Sequence, residues 1–249
     1  MSRNFLLVLT LGGFFVLVGC ESLSFNGPLD GPPGPIVKRD ARTGMAGDNG
    51  YGQEYWASFE GLSPEQELLV RSAMDLLGRN RLVVRGRTFN LDCTGVILAA
   101  YWGAGFDLMP LFNAETGNGV RRLHDIGVTW DTLNDGTGAL PAPGDIIIWD
   151  DTYDRDGNGK WGDPMTHNGI VVDVKPDGQI TYIHHNYAAG IVMARMHPGK
   201  TETHLDSDGR TEVNSPMRMR SDRYIRPSEW LSSHLFRAYV EVLSLLNDT

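Results

Sequence analysis

Apolar residues recur at helical spacing near the start of the foldable part of the chain. The segment before them, SPEQ (63–66), offers a capping serine, a proline suited to the first helical position and a glutamine that can complete a capping box. The pattern predicts a helix over residues 64–77 that ends at Gly78. The apolar positions on its predicted inner face are Leu68, Leu69, Ala73, Leu76 and Leu77.

A second helix is predicted from a continuous apolar run that starts shortly after Cys93. The run VILAAYW (96–102) reads as a buried helix, and the glycines at 103 and 105 mark its end. Cys93 therefore falls in the first turn of this helix. Before it, residues 82–84 are expected to form a short extended segment.

Beyond residue 140 the apolar pattern changes to short β-branched runs. Strands are predicted over residues 145–149, 169–174 and 179–184, with a fourth over 191–196. Their close spacing favours an antiparallel sheet, because parallel strands need long crossover connections. Helices followed by such a sheet indicate an α+β fold.

Two further segments complete the predicted domain. Residues 106–140 contain many glycines and predict irregular surface structure that could wall a substrate groove, with one short helix near 119–125. Residues 236–245 are expected to close the domain as a strand or a helix.

The N-terminal end has the pattern of an export signal. Arg3 provides a positive start, residues 5–18 are almost all apolar, and LVGC (17–20) resembles a bacterial lipobox. In a lipoprotein of that type Cys20 is acylated and becomes the mature N-terminus. We therefore expect residues 1–20 to be a lipoprotein signal peptide, and the folded part to be held outside the cytoplasm by a lipid anchor in a bacterial membrane.

A tether is predicted between this anchor and the folded domain. Residues 21–58 are rich in glycine and proline and contain few apolar residues at any regular spacing, which is typical of a flexible linker. Residues 59–249 are predicted to form one domain that is long enough to bury a core.

Composition restricts the chemistry and the partners. The formal charge of −9 and the isoelectric point near 5.2 argue against nucleic acid as a partner, because a basic surface would be expected. The chain has 2 cysteines, and acylation of Cys20 leaves Cys93 as the single thiol. No intramolecular disulfide is then possible, so the core must hold the fold.

Cys93 is the strongest candidate for a reactive group. A thiolate at a helix N-terminus faces unpaired backbone N–H groups and the positive end of the helix dipole, which are expected to lower its pKa. Such a nucleophile needs a histidine base and a third polar group that orients the base. His167 precedes one predicted strand, and His184 and Asn186 end the next. Antiparallel pairing should therefore make His167 and His184 neighbours.

Four segments, in this order, resemble the motifs of the NlpC/P60 cell-wall cysteine peptidases and the related CHAP amidases. They are DCTG (92–95), PGDIIIW (143–149), HNGIV (167–171) and YIH (182–184). The resemblance implies a papain-like α+β fold, in which a helix with the cysteine packs on an antiparallel sheet with the histidine. It also implies hydrolysis of amide bonds in peptidoglycan stem peptides or cross-links, with peptidoglycan or muropeptides as substrate.

By position, the resemblance makes Cys93 the nucleophile, His167 the base and His184 the orienting residue. Asn186 is a rival for the third role, because CHAP-type enzymes carry an asparagine two positions after a polar residue here. The tetrahedral oxyanion is expected to bind the Cys93 backbone N–H and one further donor, for which the surroundings of Asp92 or a nearby amide are candidates.

Two positions depart from the resembled motifs. Thr94 follows the cysteine where serine is more frequent, and Asn168 follows the histidine where valine is usual.

A candidate calcium site lies directly before His167. The segment DRDGNGKWGD (154–163) places oxygen ligands at alternate positions around a glycine, as in the first half of an EF-hand loop. Met165 occupies the position of the usual bidentate glutamate, so Asp163 or Asp150 would have to complete the shell. A plain acidic turn is the alternative to a structural Ca²⁺ that rigidifies the connection to His167. The candidate ligands are Asp154, Asp156, Asn158 and Asp163.

These predictions combine into a lipid-anchored, extracytoplasmic cysteine hydrolase of cell-wall peptides. A catalytically silent wall-binding module with the same fold is the alternative from another functional class. A third possibility is the same chemistry on a small amide or a lipid acyl group, because a triad specifies the bond better than the groups around it.

Overall fold

A six-stranded antiparallel sheet with helices packed against it organises the computed structural model, which describes residue 59 and the ranges 61–218 and 229–247. The helices are α1 (Pro64–Met74), α2 (Cys93–Ala104), α3 (Met109–Ala114), α4 (Gly119–Thr129) and α5 (Leu243–Asn247). A separate hairpin consists of β1 (Leu82–Val84) and β2 (Arg87–Phe89). The sheet strands are β3 (Leu133–Asn134), β4 (Ile146–Trp149), β5 (His167–Val174), β6 (Ile180–Asn186), β7 (Gly190–Met196) and β8 (Phe236–Val240), in the spatial order β3-β8-β4-β5-β6-β7.

The α+β prediction is confirmed, and every predicted strand is present with its ends shifted by at most two residues. Residues 236–245 were expected to form a strand or a helix, and the structure has both there, because β8 is followed by α5. The predicted signal peptide with Cys20 and the predicted tether lie outside the described residues. Among the helices of the described residues, none is both long and apolar enough to cross a membrane.

Helix α1 begins as its sequence predicts. The Gln66 N–H donates to the Ser63 hydroxyl over 3.2 Å and the Ser63 N–H donates to the Gln66 side chain over 3.0 Å, which completes the capping box. The Gln66 side chain also donates to the carbonyl of Pro143 over 3.1 Å and so ties α1 to the entry of β4. The helix ends at Met74, earlier than predicted, because the chain then turns towards Gly78.

Helix α2 is buried along almost its whole length, as the apolar run predicts. Asp92 caps it, since one carboxylate oxygen accepts the Gly95 N–H over 2.7 Å. Gly105 ends it with a φ of 101°, a left-handed conformation that suits glycine. Gly95 is also required by packing, because a Cβ there would lie 1.9 Å from the carbonyl oxygen of Asn90.

The sheet separates two apolar clusters, and alternation along each strand assigns residues to one face or the other. Ile146, Ile148, Ile170 and Ile183 pack with α1 and α2 on the helix face. The opposite face carries a smaller cluster that includes the C-terminal segment before β8; its strand residues include Ile147, Trp149, Val171, Tyr182 and Tyr239. Strand β4 is buried on both faces, which explains its unbroken apolar sequence.

The segment 106–140 is less irregular than predicted: the short helix expected near 119–125 is present as the longer α4, and α3 was not predicted. Asn118 caps α4 by accepting the Arg121 N–H over 2.8 Å, and Val120, Leu123 and Ile126 are buried at helical spacing. Gly127, which suggested a loop, serves close packing within α4. A Cβ at Gly127 would lie 2.9 Å from the Val240 side chain on β8.

Candidate active site

Cys93 is the first residue of α2 and is partly buried. Burial, and after it the nearby Asp92 carboxylate, raises the pKa of its thiol to about 11. The backbone N–H groups of Asn168 and Thr94 and the Thr94 hydroxyl act in the opposite direction. The expectation that the helix terminus lowers this pKa is therefore wrong for the structure as it stands, since desolvation outweighs the local N–H groups.

Asp92 acts as a helix cap and does not supply an oxyanion donor. Its carboxylate accepts the Gly95 N–H and places a negative charge beside the thiol. A carboxylate accepts hydrogen bonds and would repel a developing oxyanion. Of the two candidates for the second oxyanion donor, the Asp92 carboxylate is therefore unsuitable, and a nearby amide is the remaining one.

The predicted proximity of the two histidines is confirmed. His167 Nε2 and His184 Nδ1 lie 2.8 Å apart, and the rings meet edge to face with centroids 5.1 Å apart. Although one edge of His167 reaches solvent, burial lowers its pKa to about 4, and the charge of His185 adds to this effect. Burial also lowers the pKa of His184 well below its usual value, followed by the charges of His167 and His185. Both rings are therefore neutral at neutral pH.

An aromatic support for this pair was not predicted from the sequence. Trp149 pairs with His167 across β4 and β5 with ring centroids 5.9 Å apart, and Tyr182 lies 5.4 Å from His184 along β6. The indole N–H of Trp149 donates to the Ser232 carbonyl over 2.8 Å, which fixes that ring. The signal available in the sequence was the two-residue alternation from Tyr182 to His184, which places both on one face.

Asn186 has a different role from His184. Its side-chain oxygen accepts the N–H groups of Ala188 and Ala189 over 2.9 and 3.0 Å in the turn between β6 and β7. His184 is the residue in hydrogen-bond contact with His167. The geometry thus favours His184 over Asn186 as the orienting group.

Cys93 lies on the helix face of the sheet, where its sulfur contacts Asn168, whereas the His167 ring packs against Trp149 on the opposite face. Asn168, the second residue of β5, has its backbone N–H at the Cys93 sulfur, and its side-chain nitrogen donates to the Thr94 hydroxyl over 3.1 Å. Within the described ranges no hydrogen bond joins Cys93 to His167 itself. Catalytic hydrogen bonds are often long before substrate binds, so proton transfer would require a closer approach in the complex.

The histidine contact defines which nitrogen can act as a base. His167 Nε2 is occupied by His184, so only Nδ1 remains for a thiol proton. When Nδ1 is the acceptor, Nε2 carries the proton and donates to His184 Nδ1. The arrangement can therefore supply a neutral imidazole base that is held in one tautomer.

Three carboxylates of the predicted calcium loop come together. Ligand oxygens of Asp154, Asp156 and Asp163 lie within 4.8 Å of one another. The Gly159 N–H is the main cause that lowers the pKa of Asp154, so this carboxylate is ionised at neutral pH. The cluster combines buried Asp163 with exposed Asp156, at the end of the loop that leads to His167.

Two other candidate ligands are engaged elsewhere. The Asn158 side-chain oxygen accepts the Lys160 N–H over 2.7 Å, and its nitrogen donates to Asp156 over 2.6 Å. Asp150 pairs with Arg237 over 2.9 Å and accepts the Met165 N–H over 2.6 Å. Asp163 and Asp150 were the two residues expected to complete the calcium shell. The structure brings Asp163 to the carboxylate cluster, whereas Asp150 pairs with Arg237 on β8.

No protein-family model, no curated protein and no solved structure matches the chain. The resemblance to the NlpC/P60 and CHAP enzymes stays a prediction from the four sequence motifs.

Proposed function

We propose that this chain is a cysteine hydrolase of the NlpC/P60–CHAP type, with a papain-like arrangement of helix and sheet. Its substrates are amide bonds in peptidoglycan stem peptides or cross-links. The observation that carries the proposal is the 2.8 Å contact between the rings of His167 and His184. His167 is the first residue of β5, and the backbone N–H of the next residue, Asn168, lies at the Cys93 sulfur. The base and its orienting group lie with Trp149 and Tyr182 on the face of the sheet away from α2, so the proposal requires the His167 ring to reach the Cys93 sulfur around the start of β5.

The reaction follows from these roles. Cys93 attacks the scissile carbonyl while His167 Nδ1 takes the thiol proton, and the oxyanion accepts the Cys93 backbone N–H. His167 then protonates the leaving amine as the thioester forms. Water, activated by the same imidazole, hydrolyses the thioester and restores the thiol.

The two pKa values indicate when the proton moves. With the Cys93 thiol near 11 and His167 near 4, the resting pair is a neutral thiol and a neutral imidazole. Proton transfer therefore accompanies attack on the carbonyl and does not precede it.

The deciding experiment uses full-length protein and defined muropeptides, with products analysed by mass spectrometry. We expect the wild type to cleave one amide bond, and Cys93→Ala and His167→Ala to lose turnover while they still fold and bind peptidoglycan. His204→Ala is the matched control, because His204 pairs with Glu212 outside the proposed site. Unchanged turnover in Cys93→Ala would reject the enzyme proposal.

A silent wall-binding module is the second candidate, and one observation favours it. The Cys93 thiol has a raised pKa and no hydrogen bond to His167 within the described contacts. This candidate predicts that wild-type protein binds peptidoglycan sacculi but releases no fragment from any muropeptide. Cleavage of a small amide or an acyl ester in place of muropeptides would support the same chemistry on another substrate.

Location outside the cytoplasm is part of the proposal. It is supported by the lipobox-like segment ending at Cys20 and by the Gly/Pro-rich residues 21–58. Metabolic labelling with a fatty acid should mark wild-type protein, and Cys20→Ser should abolish the label. A labelled Cys20→Ser protein would contradict the anchor.

A further inference from the structure

Thr94 and Asn168 are the residues that directly follow the proposed nucleophile and the proposed base. The Asn168 side chain has no exposed surface, and its nitrogen donates to Thr94 Oγ1 over 3.1 Å. This bond joins α2 to β5, beside the contact of the Asn168 backbone N–H with the Cys93 sulfur. The bond therefore connects the helix of Cys93 to the strand of His167 at the N-terminal end of both.

Helix α4 holds the same threonine from another side. Gly119 opens α4, and a Cβ at this position would lie 2.5 Å from Thr94 Oγ1 and 2.8 Å from Thr94 Cγ2. The absence of a side chain at Gly119 leaves the space that the threonine side chain fills. Packing on α4 and the bond from Asn168 together restrict the Thr94 rotamer.

The direction of the hydrogen bond matters for the sulfur. The Asn168 N–H occupies an acceptor lone pair of Thr94 Oγ1, so the hydroxyl proton is free to be donated to another group. The Cys93 sulfur is beside it, and the Thr94 hydroxyl is one of the groups that favour the thiolate. The titratable groups that interact with this sulfur are Asp92 at the helix cap and Tyr153 from the loop after β4.

We propose that Asn168 is a positioning residue, which orients the Thr94 hydroxyl so that its proton is donated to the Cys93 sulfur and stabilises the anionic sulfur. Its catalytic meaning rests on the proposed function, because negative charge that develops on the sulfur during attack on a carbonyl matters for turnover only in a cysteine hydrolase. Its effect on the sulfur does not depend on any substrate.

The sulfur itself provides the first test. The rate at which iodoacetamide alkylates Cys93 is measured against pH in full-length protein, with the adduct located by mass spectrometry. We expect Thr94→Val and Asn168→Val each to move the midpoint of this profile upward by about one pH unit, since a hydrogen bond to the anion is lost. The double variant should move it no further, because both changes break the same relay.

Two further variants separate orientation from simple packing. Thr94→Ser keeps the hydroxyl and should restore most of the wild-type profile. Thr132→Val is the matched control, because it removes a buried threonine hydroxyl that has no hydrogen-bond partner in the described structure.

In muropeptide turnover, Thr94→Val and Asn168→Val should lower kcat about tenfold with little change in KM.

The proposal is overturned if both single variants give the wild-type alkylation profile, or if their shifts add in the double variant. Thermal unfolding of each variant shows that it is folded, and if Asn168→Val does not fold, the Thr94 variants carry the test. Wild-type protein that turns over no muropeptide while the predicted shifts are observed would remove the hydrolase proposal and leave the role of Asn168 intact.

Discussion

The residues that surround His167 act on it through a hydrogen bond, ring packing, burial and charge. His184 occupies one ring nitrogen, Trp149 lies beside the ring, and His185 adds a charge that disfavours protonation. These effects keep the imidazole neutral and in a defined orientation. A neutral, oriented imidazole is what a general base requires, and its orienting partner is the residue whose removal tests this assignment most directly.

Substitution of His184 should reduce catalysis far more than substitution of Asn186. His184→Gln removes the ring nitrogen 2.8 Å from His167, and we expect kcat/KM for muropeptides to fall by about 10² or more as the base loses its tautomer and orientation. Asn186→Ala removes two turn hydrogen bonds and should lower the free energy of unfolding by about 1–2 kcal/mol with little effect on kcat. The opposite pattern would reassign the third role to Asn186.

At the scale of elements, α2 and the loop before β5 bring the site together. Helix α2 is placed by its Asp92 cap and by the close approach of Asn90 to Gly95. The apolar run predicts that α2 is buried, but it does not predict that the carbonyl of Asn90, in the loop before α2, lies against Gly95. The loop before β5 carries three carboxylates whose mutual repulsion a cation would relieve.

Gly95→Ala should destabilise the protein strongly, although alanine favours helices. The added Cβ would lie 1.9 Å from the Asn90 carbonyl oxygen, so backbone must move, and we expect a loss of about 3 kcal/mol in the free energy of unfolding. Gly103→Ala is the matched control in the same helix, because its nearest contact at 2.2 Å is the Ser72 hydroxyl, which can rotate away. Urea titration measures both, and equal losses would contradict this account.

Calcium should stabilise the loop of Asp154, Asp156 and Asp163. At about 100 times the dissociation constant, bound Ca²⁺ should raise the melting temperature by about 5 °C, and a chelator should reverse the change. Asp163→Asn should abolish the shift. Asp135→Asn is the control, because Asp135 makes a similar exposed turn with Thr137 away from the cluster. A melting temperature that does not respond to Ca²⁺ would identify the loop as an acidic turn.

For the whole molecule, stability depends on ionisable groups that folding buries on and beside the sheet. Burial lowers the pKa of His167 to about 4 and the pKa of His184 well below its usual value, so the stability that both contribute is present above about pH 6.5 and is lost as pH falls below it. Burial raises the pKa of Asp145 to about 7, so its contribution has the opposite sign and favours folding as pH falls. Burial also raises the pKa values of Asp75 and Asp173, but their smaller shifts from 3.8 act mainly at lower pH. Between pH 6.5 and pH 5 the two histidines therefore outweigh Asp145, which leaves a net loss of stability in acid.

The free energy of unfolding should therefore decrease between pH 6.5 and pH 5. One net proton corresponds to about 1.4 kcal/mol per pH unit, which amounts to a loss of about 2 kcal/mol over this interval. Asp145→Asn removes the opposing group and should make the loss steeper, whereas His184→Gln should make it shallower. Urea unfolding at several pH values measures the slopes, and a stability that rises on acidification over this interval would contradict the assignment.

The sequence by itself determined the capped helix α1, the buried helix that begins at Cys93, the antiparallel pairing of β5 with β6 and the proximity of His167 to His184. These follow from capping residues, apolar periodicity and a short strand connection, which act between residues that are near in sequence. Only the tertiary structure decided that burial raises the pKa of the Cys93 thiol, that Asp150 pairs with Arg237 and that Asn168 donates to Thr94. Desolvation and long-range contacts depend on which distant segments pack together, and no local pattern of residues encodes them.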